Sequence, residues 1–339
     1  MTLKDIAEKA GVSMMTVSNV INGKHQRVSP RTIEKVNAII KECGYVPNLN
    51  ARSLMSKSSN IIGIIISWDD PDTTENYLEN PYISTMIGTI ERELRINGYY
   101  TLVRSVFSQS DLTVLLKNWH VDGIIFLYPN CDNYLKPFLD AAPCPVAIFD
   151  SSVEHPELIN VRSNDEMGLY LSTKYMINHG HTQIAFVADY ASSPVLTKRF
   201  LGYQRALEEC GIPFRPENVL TYPPSYEGGI EAGRKLARSN LDVTAAVTTA
   251  DICAIGVMEG ARLGGYRIPV DLSIIGYDDL SLCRYTTPKL TSVSQHITEK
   301  ALLATRLLIE KIKTGKISGP ATVETDVEIV DRQSVVSLF

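Results

Sequence analysis

From residue 61 to the C-terminus, short apolar runs alternate with longer stretches that carry apolar residues at helical spacing. One such stretch, Pro81 to Asn97, places five apolar residues between Ile83 and Leu94 on one helical face. The runs predicted as strands are Ile61–Ser67, Tyr100–Phe107, Gly123–Leu127, Val146–Phe149, Ile184–Ala188, Ala245–Thr249, Ser273–Tyr277 and Val327–Val330. Repeated strand–helix–strand units form parallel sheets with helices on both faces. Because the runs fall into two series, the pattern predicts an α/β body of two doubly wound parallel-sheet lobes with a cleft between them.

The first sixty residues follow a different, all-helical pattern. Thr2 and Asp5 have the spacing of a capping box, and Gly11 is suited to ending the first helix. Ser13 can cap a second helix, and Pro30 can begin a third. The apolar residues of the three helices recur at helical spacing: Ile6, Ala7, Ala10, Val17, Val20, Ile21, Ile33, Val36, Ile39 and Ile40. Two short helices around a glycine-containing turn predict a helix-turn-helix head.

Charge separates the head from the body. Residues 1–60 carry nine basic and four acidic side chains, a net charge of +5, whereas the other 24 basic and 34 acidic residues give −10. The difference indicates that only the head meets a polyanion, which we expect to be double-stranded DNA.

The second predicted helix leaves Met14, Met15, Ser18 and Asn19 on its outward face. An unpacked helix face in a basic domain is suited to the DNA major groove. Asn19 can hydrogen-bond adenine N6 and N7, whereas the methionines can contact only apolar groups such as thymine methyls. The alternative for Met14 is packing against the third helix.

Ligands of open α/β sheets bind beyond the carboxyl ends of the strands. The residues that follow the predicted strands include Trp68, Tyr128, Asp150, Asp251 and Asp278. Carboxylates that accept hydrogen bonds from hydroxyl groups, together with aromatic faces, suit a neutral polyhydroxylated ligand such as a mono- or oligosaccharide. The alternatives are that each Asp caps a helix and that Trp68 packs in the core.

Other functional classes find no support in the sequence. It contains no P-loop, no G-x-S-x-G, no G-x-G-x-x-G after a strand and no metal-binding spacing of His or Cys, so we expect neither an enzyme nor a cofactor. The six cysteines are scattered, which is typical of reduced thiols in a cytoplasmic protein. The N-terminus is charged and helical rather than a signal peptide, and the longest apolar run, Ile61 to Ile66, is too short to span a bilayer.

Two segments of the head carry recognisable motifs: Thr2-Leu3-Lys4-Asp5-Ile6-Ala7 with Gly11-Val12-Ser13, Thr16-Val17-Ser18 and Asn22, and Tyr45-x-Pro47-Asn48-x-x-Ala51-Arg52-x-Leu54. They resemble the LacI/GalR family of transcriptional regulators. The resemblance implies that residues 48–56 form a hinge helix in the minor groove, with Leu54 as a wedge at the operator centre. The residues that it adds to the outward helix face as DNA contacts are Thr2, Ser13, Thr16, Asn22, Asn48, Ala51, Arg52 and Leu54. At Asn19 many members carry Arg, so the operator sequence does not follow from the resemblance.

The resemblance extends through the body in Val121-Asp122-Gly123-Ile124-Ile125, Asn178-x-Gly180-His181, Arg199-x-x-Gly202-Tyr203-x-x-Ala206-Leu207, Gly276-Tyr277-Asp278-Asp279 and Pro288-x-Leu290-Thr291-x-Val293. It implies a fold of the periplasmic-binding-protein type with three crossovers between lobes, and it implies that Asp150, Arg199 and Asp278 contact a sugar effector. The chain departs from the usual pattern at Ser151, at Asn164-Asp165 and at Ala250.

These observations predict a helix-turn-helix domain over 1–45, a hinge helix and linker over 46–59, and an effector-binding domain over 60–339. Within that domain, we expect one lobe over about 60–160 and 294–325 and the other over about 161–293 and 326–339. The expected function is ligand-controlled binding of a homodimer to a palindromic operator, as a repressor. The alternative is a sugar-binding protein without a regulatory role.

Overall fold

The computed structural model describes residues 2–21, 23–45, 58–67, 76–118, 120–127, 132–239 and 241–339. The chain divides into two compact units, Met1–Ser59 and Asn60–Phe339.

The first unit contains three helices: α1 (Leu3–Ala10), α2 (Met14–Ile21) and α3 (Pro30–Cys43). The predicted capping box is present, since the Thr2 N–H donates to Asp5 Oδ2 at 2.8 Å and the Asp5 N–H donates to Thr2 Oγ1 at 3.3 Å. Gly11 ends α1 with a φ of +67°, a conformation that glycine adopts without strain. The buried core of this unit is Ile6, Ala7, Ala10, Val17, Val20 and Val36. Ala7, whose small side chain permits the close approach of another helix, is buried in this core.

The second unit alternates strands and helices along its length. Its strands are β1 (Ile61–Ser67), β2 (Tyr100–Val106), β3 (Gly123–Leu127), β4 (Val146–Phe149), β5 (Leu158–Ser163), β6 (Ile184–Val187), β7 (Val219–Leu220), β8 (Ala245–Thr248), β9 (Ser273–Asp278), β10 (Thr291–Ser294), β11 (Thr322–Thr325) and β12 (Glu328–Val330). Its α-helices are α4 (Pro81–Ile96), α5 (Gln109–Asn118), α6 (Asp132–Ala141), α7 (Asp165–Asn178), α8 (Pro194–Glu209), α9 (Tyr226–Arg238), α10 (Asp251–Leu263) and α11 (Ile297–Thr314). The sequence did not predict β5, β7, β10 and β11, which are short or carry polar residues among their apolar ones.

The strands form two six-stranded sheets, one in each lobe. The first sheet has the order β11-β5-β4-β3-β1-β2 and the second β12-β10-β9-β8-β6-β7, so the predicted doubly wound lobes are confirmed. All pairs are parallel except β10 with β12, which is antiparallel. Strand β12 is antiparallel because the chain enters it directly from β11. Strand β12 therefore begins at the carboxyl ends of the parallel strands and runs towards their amino ends.

The chain passes between the lobes three times: after β5, after β10 and after β11. Strand β5 ends at Ser163, so the first passage begins three residues beyond the expected boundary at residue 160. The crossover segments are bonded to one another, since the Asn164 N–H donates to the Thr325 carbonyl at 3.1 Å. Carboxyl ends of strands from both sheets therefore converge beside the crossovers.

Candidate functional site

The N-terminus of α2 presents the exposed side chains of the head. Met14 is 52% exposed and Met15 is 72% exposed, so neither lies in the core of the three helices. Ser13 caps α2 as predicted, because its Oγ accepts from the Thr16 N–H at 3.1 Å. Ser18 and Asn19 lie half-buried one turn further along. The arrangement offers an apolar and hydroxyl-bearing surface at the start of a helix in a basic domain.

Several predicted contact residues lie outside the described residues. They are Asn22, Asn48, Ala51, Arg52 and Leu54 in the head and hinge, and Trp68 and Tyr128 in the body. Their assignments remain predictions from the sequence.

In the body, Asp150 follows β4 and has a left-handed backbone, with a φ of +54°. Its Oδ1 accepts from the Ser163 N–H at 3.0 Å. Both carboxylate oxygens lie 2.6 Å from Lys300 Nζ. A non-glycine residue with positive φ is strained, and such strain is concentrated at functional sites. The structure therefore places Asp150 at the carboxyl end of β4, where it is already paired with a cation.

Sequence reasoning missed Lys300. It lies on the buried face of α11 with Ile297, Ala301 and Ala304, and its side chain is fully buried. A lysine among the apolar positions of a helix is a signal that could have identified it, because lysine is almost never fully buried unless it is paired.

A chain of hydrogen bonds crosses the cleft from Lys300 to Asp278. Lys300 Nζ also contacts Ser163 Oγ at 2.9 Å and Gln295 Oε1 at 3.1 Å. Gln295 Nε2 then donates to Asp278 Oδ1 at 2.5 Å. Gln295 lies on the crossover between β10 and α11, so this chain connects carboxylates of both lobes through a crossover segment.

Arg199 on α8 is buried and held from two sides. Its Nε donates to Asp165 Oδ1 at 2.8 Å, and its Nη1 donates to the Thr249 carbonyl at 2.5 Å. Its guanidinium carbon lies 3.6 Å from the centre of the Tyr277 ring, close enough for a cation–π interaction. The predicted site residues Arg199 and Asp278 therefore lie on the wall formed by the second lobe.

Asp251 differs from the expectation for a ligand contact. It is fully buried, its Oδ2 accepts from the Leu280 N–H at 2.7 Å, and its Oδ1 accepts from Ser292 Oγ at 2.5 Å. A side chain on residue 276 would collide with it, since an added Cβ on Gly276 lies 2.2 Å from Asp251 Oδ1. We therefore assign Asp251 a supporting role beneath the strand ends.

Burial dominates the electrostatics of the second-lobe carboxylates. It raises the pKa of Asp278 to about 7, with the charges of Arg199 and Lys300 acting in the opposite direction. Burial, reinforced by the charge of Asp278, raises the pKa of Asp251 to about 8. Burial also raises the pKa of Asp165 despite its pairing with Arg199. Burial therefore shifts Asp251 and Asp278 towards their protonated forms, and it does so more strongly for Asp251.

The two histidines near the end of α7 have structural partners. His181 Nδ1 lies 2.9 Å from Thr244 Oγ1 and its Nε2 lies 3.0 Å from the Val336 carbonyl, while His179 Nδ1 lies 2.8 Å from the Tyr175 carbonyl. Within the described ranges, no group of three or more His, Cys, Asp or Glu side chains is arranged to hold a metal ion. Nor does any helix in that part of the chain have the length and apolar character needed to cross a membrane.

The chain is similar to known regulators along nearly its whole length. Residues 2–48 match the family described as "Bacterial regulatory proteins, lacI family", and residues 173–335 match the "Periplasmic binding protein-like domain". The HTH-type transcriptional repressor PurR of Vibrio atlanticus (strain LGP32) is 32% identical over 342 residues, covering 99% of each chain.

Two solved structures share the fold. The lac repressor dimer bound to operator and the anti-inducer ONPF is 27% identical, with a TM-score of 0.86 over 99% of each chain. The complex of the transcriptional regulator CelR with cellobiose is 28% identical, with a TM-score of 0.72 over 98% of this chain and 99% of CelR.

Proposed function

Because the chain belongs to the lacI family of bacterial regulatory proteins, we propose that it is a repressor whose affinity for operator DNA is set by a sugar in the cleft of its body. It is a DNA-binding regulator that acts as a homodimer, which decides against the alternative of a sugar-binding protein without a regulatory role. We place it in the cytoplasm, where its operator is accessible.

The second-lobe wall is the observation that carries the sugar assignment. Asp278 supplies carboxylate oxygen, Arg199 supplies N–H donors, and Thr249 Oγ1 is buried without a hydrogen-bond partner among the described residues. A buried polar atom without a partner costs free energy until a ligand or water satisfies it. Adjacent hydroxyl groups of a sugar can donate to Asp278 and accept from Arg199 at the same time. The sugar bound by CelR is consistent with this class of ligand.

For the head, we propose that the start of α2 enters the major groove, with Met14, Met15 and Asn19 facing the bases. We assign residues 46–59 to the hinge and linker and keep Leu54 as the minor-groove wedge. Two heads on half-sites about one helical turn apart match a symmetric dimer.

The sugar assignment is tested on the full chain. Unfolding midpoints are measured with D-glucose, D-galactose, D-ribose and cellobiose, and fluorescence anisotropy then gives operator affinity with and without each sugar that raises the midpoint. Coupling between two such sites is usually about 1–3 kcal/mol, so we expect a 5- to 150-fold change in operator affinity. A sugar that stabilises the protein but leaves operator affinity unchanged would contradict the regulatory coupling, and a panel without any stabilising member would contradict the ligand class.

The hinge assignment is tested separately with Leu54→Ala. We expect weaker operator binding and less DNA bending, because an apolar wedge that unstacks a base step is lost. Leu263→Ala, at an exposed position of α10, is the matched control. If the Leu54 variant bends operator DNA as the parent does, the assignment of Leu54 to the minor groove is wrong.

A further inference from the structure

Contacts from Lys300, Ser163 and Tyr82 occupy the carboxylate of Asp150. A carboxylate has about four acceptor positions. Oδ1 of Asp150 accepts from Lys300 Nζ and from the Ser163 N–H, while Oδ2 accepts from Lys300 Nζ and lies 3.5 Å from the Tyr82 hydroxyl. The side chain of Asp150 is only 15% exposed. The carboxylate of Asp150 is therefore not available to a ligand hydroxyl.

Lys300 itself has no donor left for a ligand. An ammonium group has three N–H bonds, and those of Lys300 are directed at Asp150, Ser163 and Gln295. Because the ammonium and the carboxylate are in direct contact, the pair is neutral as a whole.

In the second-lobe wall, the described residues leave hydrogen-bonding groups free for a ligand. Among the residues that the structure describes, only Gln295 donates to Asp278, and it does so through Oδ1. Two of the five N–H bonds of Arg199 are not used by Asp165 or by the Thr249 carbonyl. The buried Thr249 Oγ1 has no hydrogen-bond partner in the described part of the chain. The two walls of the cleft therefore differ in what they can offer a ligand.

We propose that Lys300 is a specificity-determining residue: it acts as a built-in cation that occupies Asp150, makes the first-lobe wall neutral and excludes ligands that would place an ammonium group there. This inference rests on the proposed function of the cleft as the effector site. Without Lys300, Asp150 is a buried carboxylate without a cation, a state that proteins avoid because desolvation disfavours an unpaired charge. The cleft then accepts an ammonium-bearing ligand, such as an amino sugar, on that side.

The first experiment replaces the side chain with a free ion. Lys300→Ala removes three carbons and the ammonium, which n-propylammonium supplies. We expect saturating n-propylammonium chloride, compared with sodium chloride at equal ionic strength, to raise the unfolding midpoint of this variant by about 2–4 °C. The parent, the surface control Lys313→Ala and the double variant Lys300→Ala/Asp150→Asn should not respond.

The second experiment compares matched sugars by calorimetry: D-glucose with D-glucosamine, and D-galactose with D-galactosamine. We expect the ratio of amino-sugar to neutral-sugar affinity to rise about 10-fold in Lys300→Ala relative to the parent. Adding Asp150→Asn should return the ratio to the parent value, because the carboxylate that attracts the ammonium is gone. A purely structural lysine would weaken both members of a pair equally.

The outcomes separate the two hypotheses. A Lys300→Ala variant that folds only with n-propylammonium supports the inference as much as a rise in midpoint does. Equal responses of all variants to the ion, or no response of Lys300→Ala, overturn it. If no sugar binds the parent, the sugar assignment fails, whereas the ion experiment still decides whether Lys300 occupies Asp150 as a replaceable cation.

Discussion

The two lobes of the body share a strand order but pack their helices in different ways. In the first lobe, α4 and α11 cover an isoleucine-rich sheet through large side chains such as Met86, Leu94 and Leu308. In the second lobe, α9 and α10 meet at their backbones, since a Cβ added to Gly256 would lie 2.1 Å from the Tyr226 carbonyl oxygen. Five further glycines line this contact or its ends: Gly228, Gly229, Gly233, Gly260 and Gly264. The packing of α4 and α11 on the first sheet therefore depends on the volume of side chains, whereas the contact between α9 and α10 depends on their absence.

The polar residues of the cleft also differ between the two lobes. In the first-lobe wall, Lys300 and Asp150 are paired with each other, whereas Arg199, Thr249 and Asp278 of the second-lobe wall carry polar groups that no described residue uses. A wall whose polar groups already have hydrogen-bond partners contributes shape and electrical neutrality to the site. A wall with free polar groups can form hydrogen bonds with a ligand. One topology thus supports two different roles because the side chains that surround the strand ends differ.

Substitutions at two glycines test the difference in helix packing between the lobes. Gly256→Ala should destabilise the body by about 3 kcal/mol, because the helix backbones must separate to admit a methyl group. Gly88→Ala on α4 has nothing within 4 Å of its added Cβ and should stabilise by about 0.5–1 kcal/mol through helix propensity. Urea unfolding measures both. Similar free energies of unfolding for the two variants would abolish the contrast.

The difference in polar groups between the two walls predicts that substitutions in the second-lobe wall weaken ligand binding more than substitutions in the first-lobe wall. Asp278→Asn should weaken sugar binding about 10- to 100-fold, which corresponds to a hydrogen bond with a charged group of about 1.5–3 kcal/mol. Calorimetry on the full chain measures the effect, with the exposed Asp140→Asn on α6 as control. Parent-like affinity in the Asp278 variant would assign binding to the other wall.

Stability should fall as pH rises from 7 to 9. The pKa of Asp251 is about 8 and that of Asp278 about 7, both raised by burial above the unfolded value of about 4. The folded state therefore holds more protons than the unfolded one, and the stability gained from them is complete below about pH 4 and lost through pH 7–8. We expect a loss of about 1–2 kcal/mol between pH 7 and 9, measured by urea unfolding.

Asp251→Asn is the matched variant for this pH dependence, because its amide does not titrate. Its free energy of unfolding should change less between pH 7 and 9 than that of the parent. An equally steep decline in the variant would show that other groups cause the loss.

The smallest effect is expected at the edge of the first sheet. Arg162 on β5 and Glu324 on β11 form an ion pair at 3.1 Å, with side chains 36% and 44% exposed. Exposed pairs usually contribute about 0.2–1 kcal/mol, so Glu324→Gln should change the unfolding free energy by no more than this. A larger loss would indicate that the first lobe, too, depends on specific polar contacts.

Local pattern determined most of the architecture. The capping box of Thr2 and Asp5, the glycine stop at Gly11 and the start of α3 at Pro30 followed from the sequence because such signals act within a few residues. The two series of strands and the positions of Asp150 and Asp278 near strand ends also followed, since strand ends are readable from apolar runs, whereas Arg199 lies on α8 and was named only from the family resemblance. Strand β5 was missed because Asn160 and Ser163 interrupt its apolar character.

Tertiary structure decided which of the strand-end residues remain free for a ligand. Lys300 is 150 residues from Asp150 in the chain, and only the folding of α11 against the first sheet brings them together. In the same way, Asp251 comes shortly after β8 and Asp278 ends β9, yet packing buries Asp251 against Gly276, whereas only Oδ1 of Asp278 accepts a hydrogen bond from the residues that the structure describes. The direction of β12 was likewise set by where the third crossover enters the sheet. Each of these outcomes depends on contacts or chain paths that join residues far apart in the sequence, and this information is absent from any local stretch of sequence.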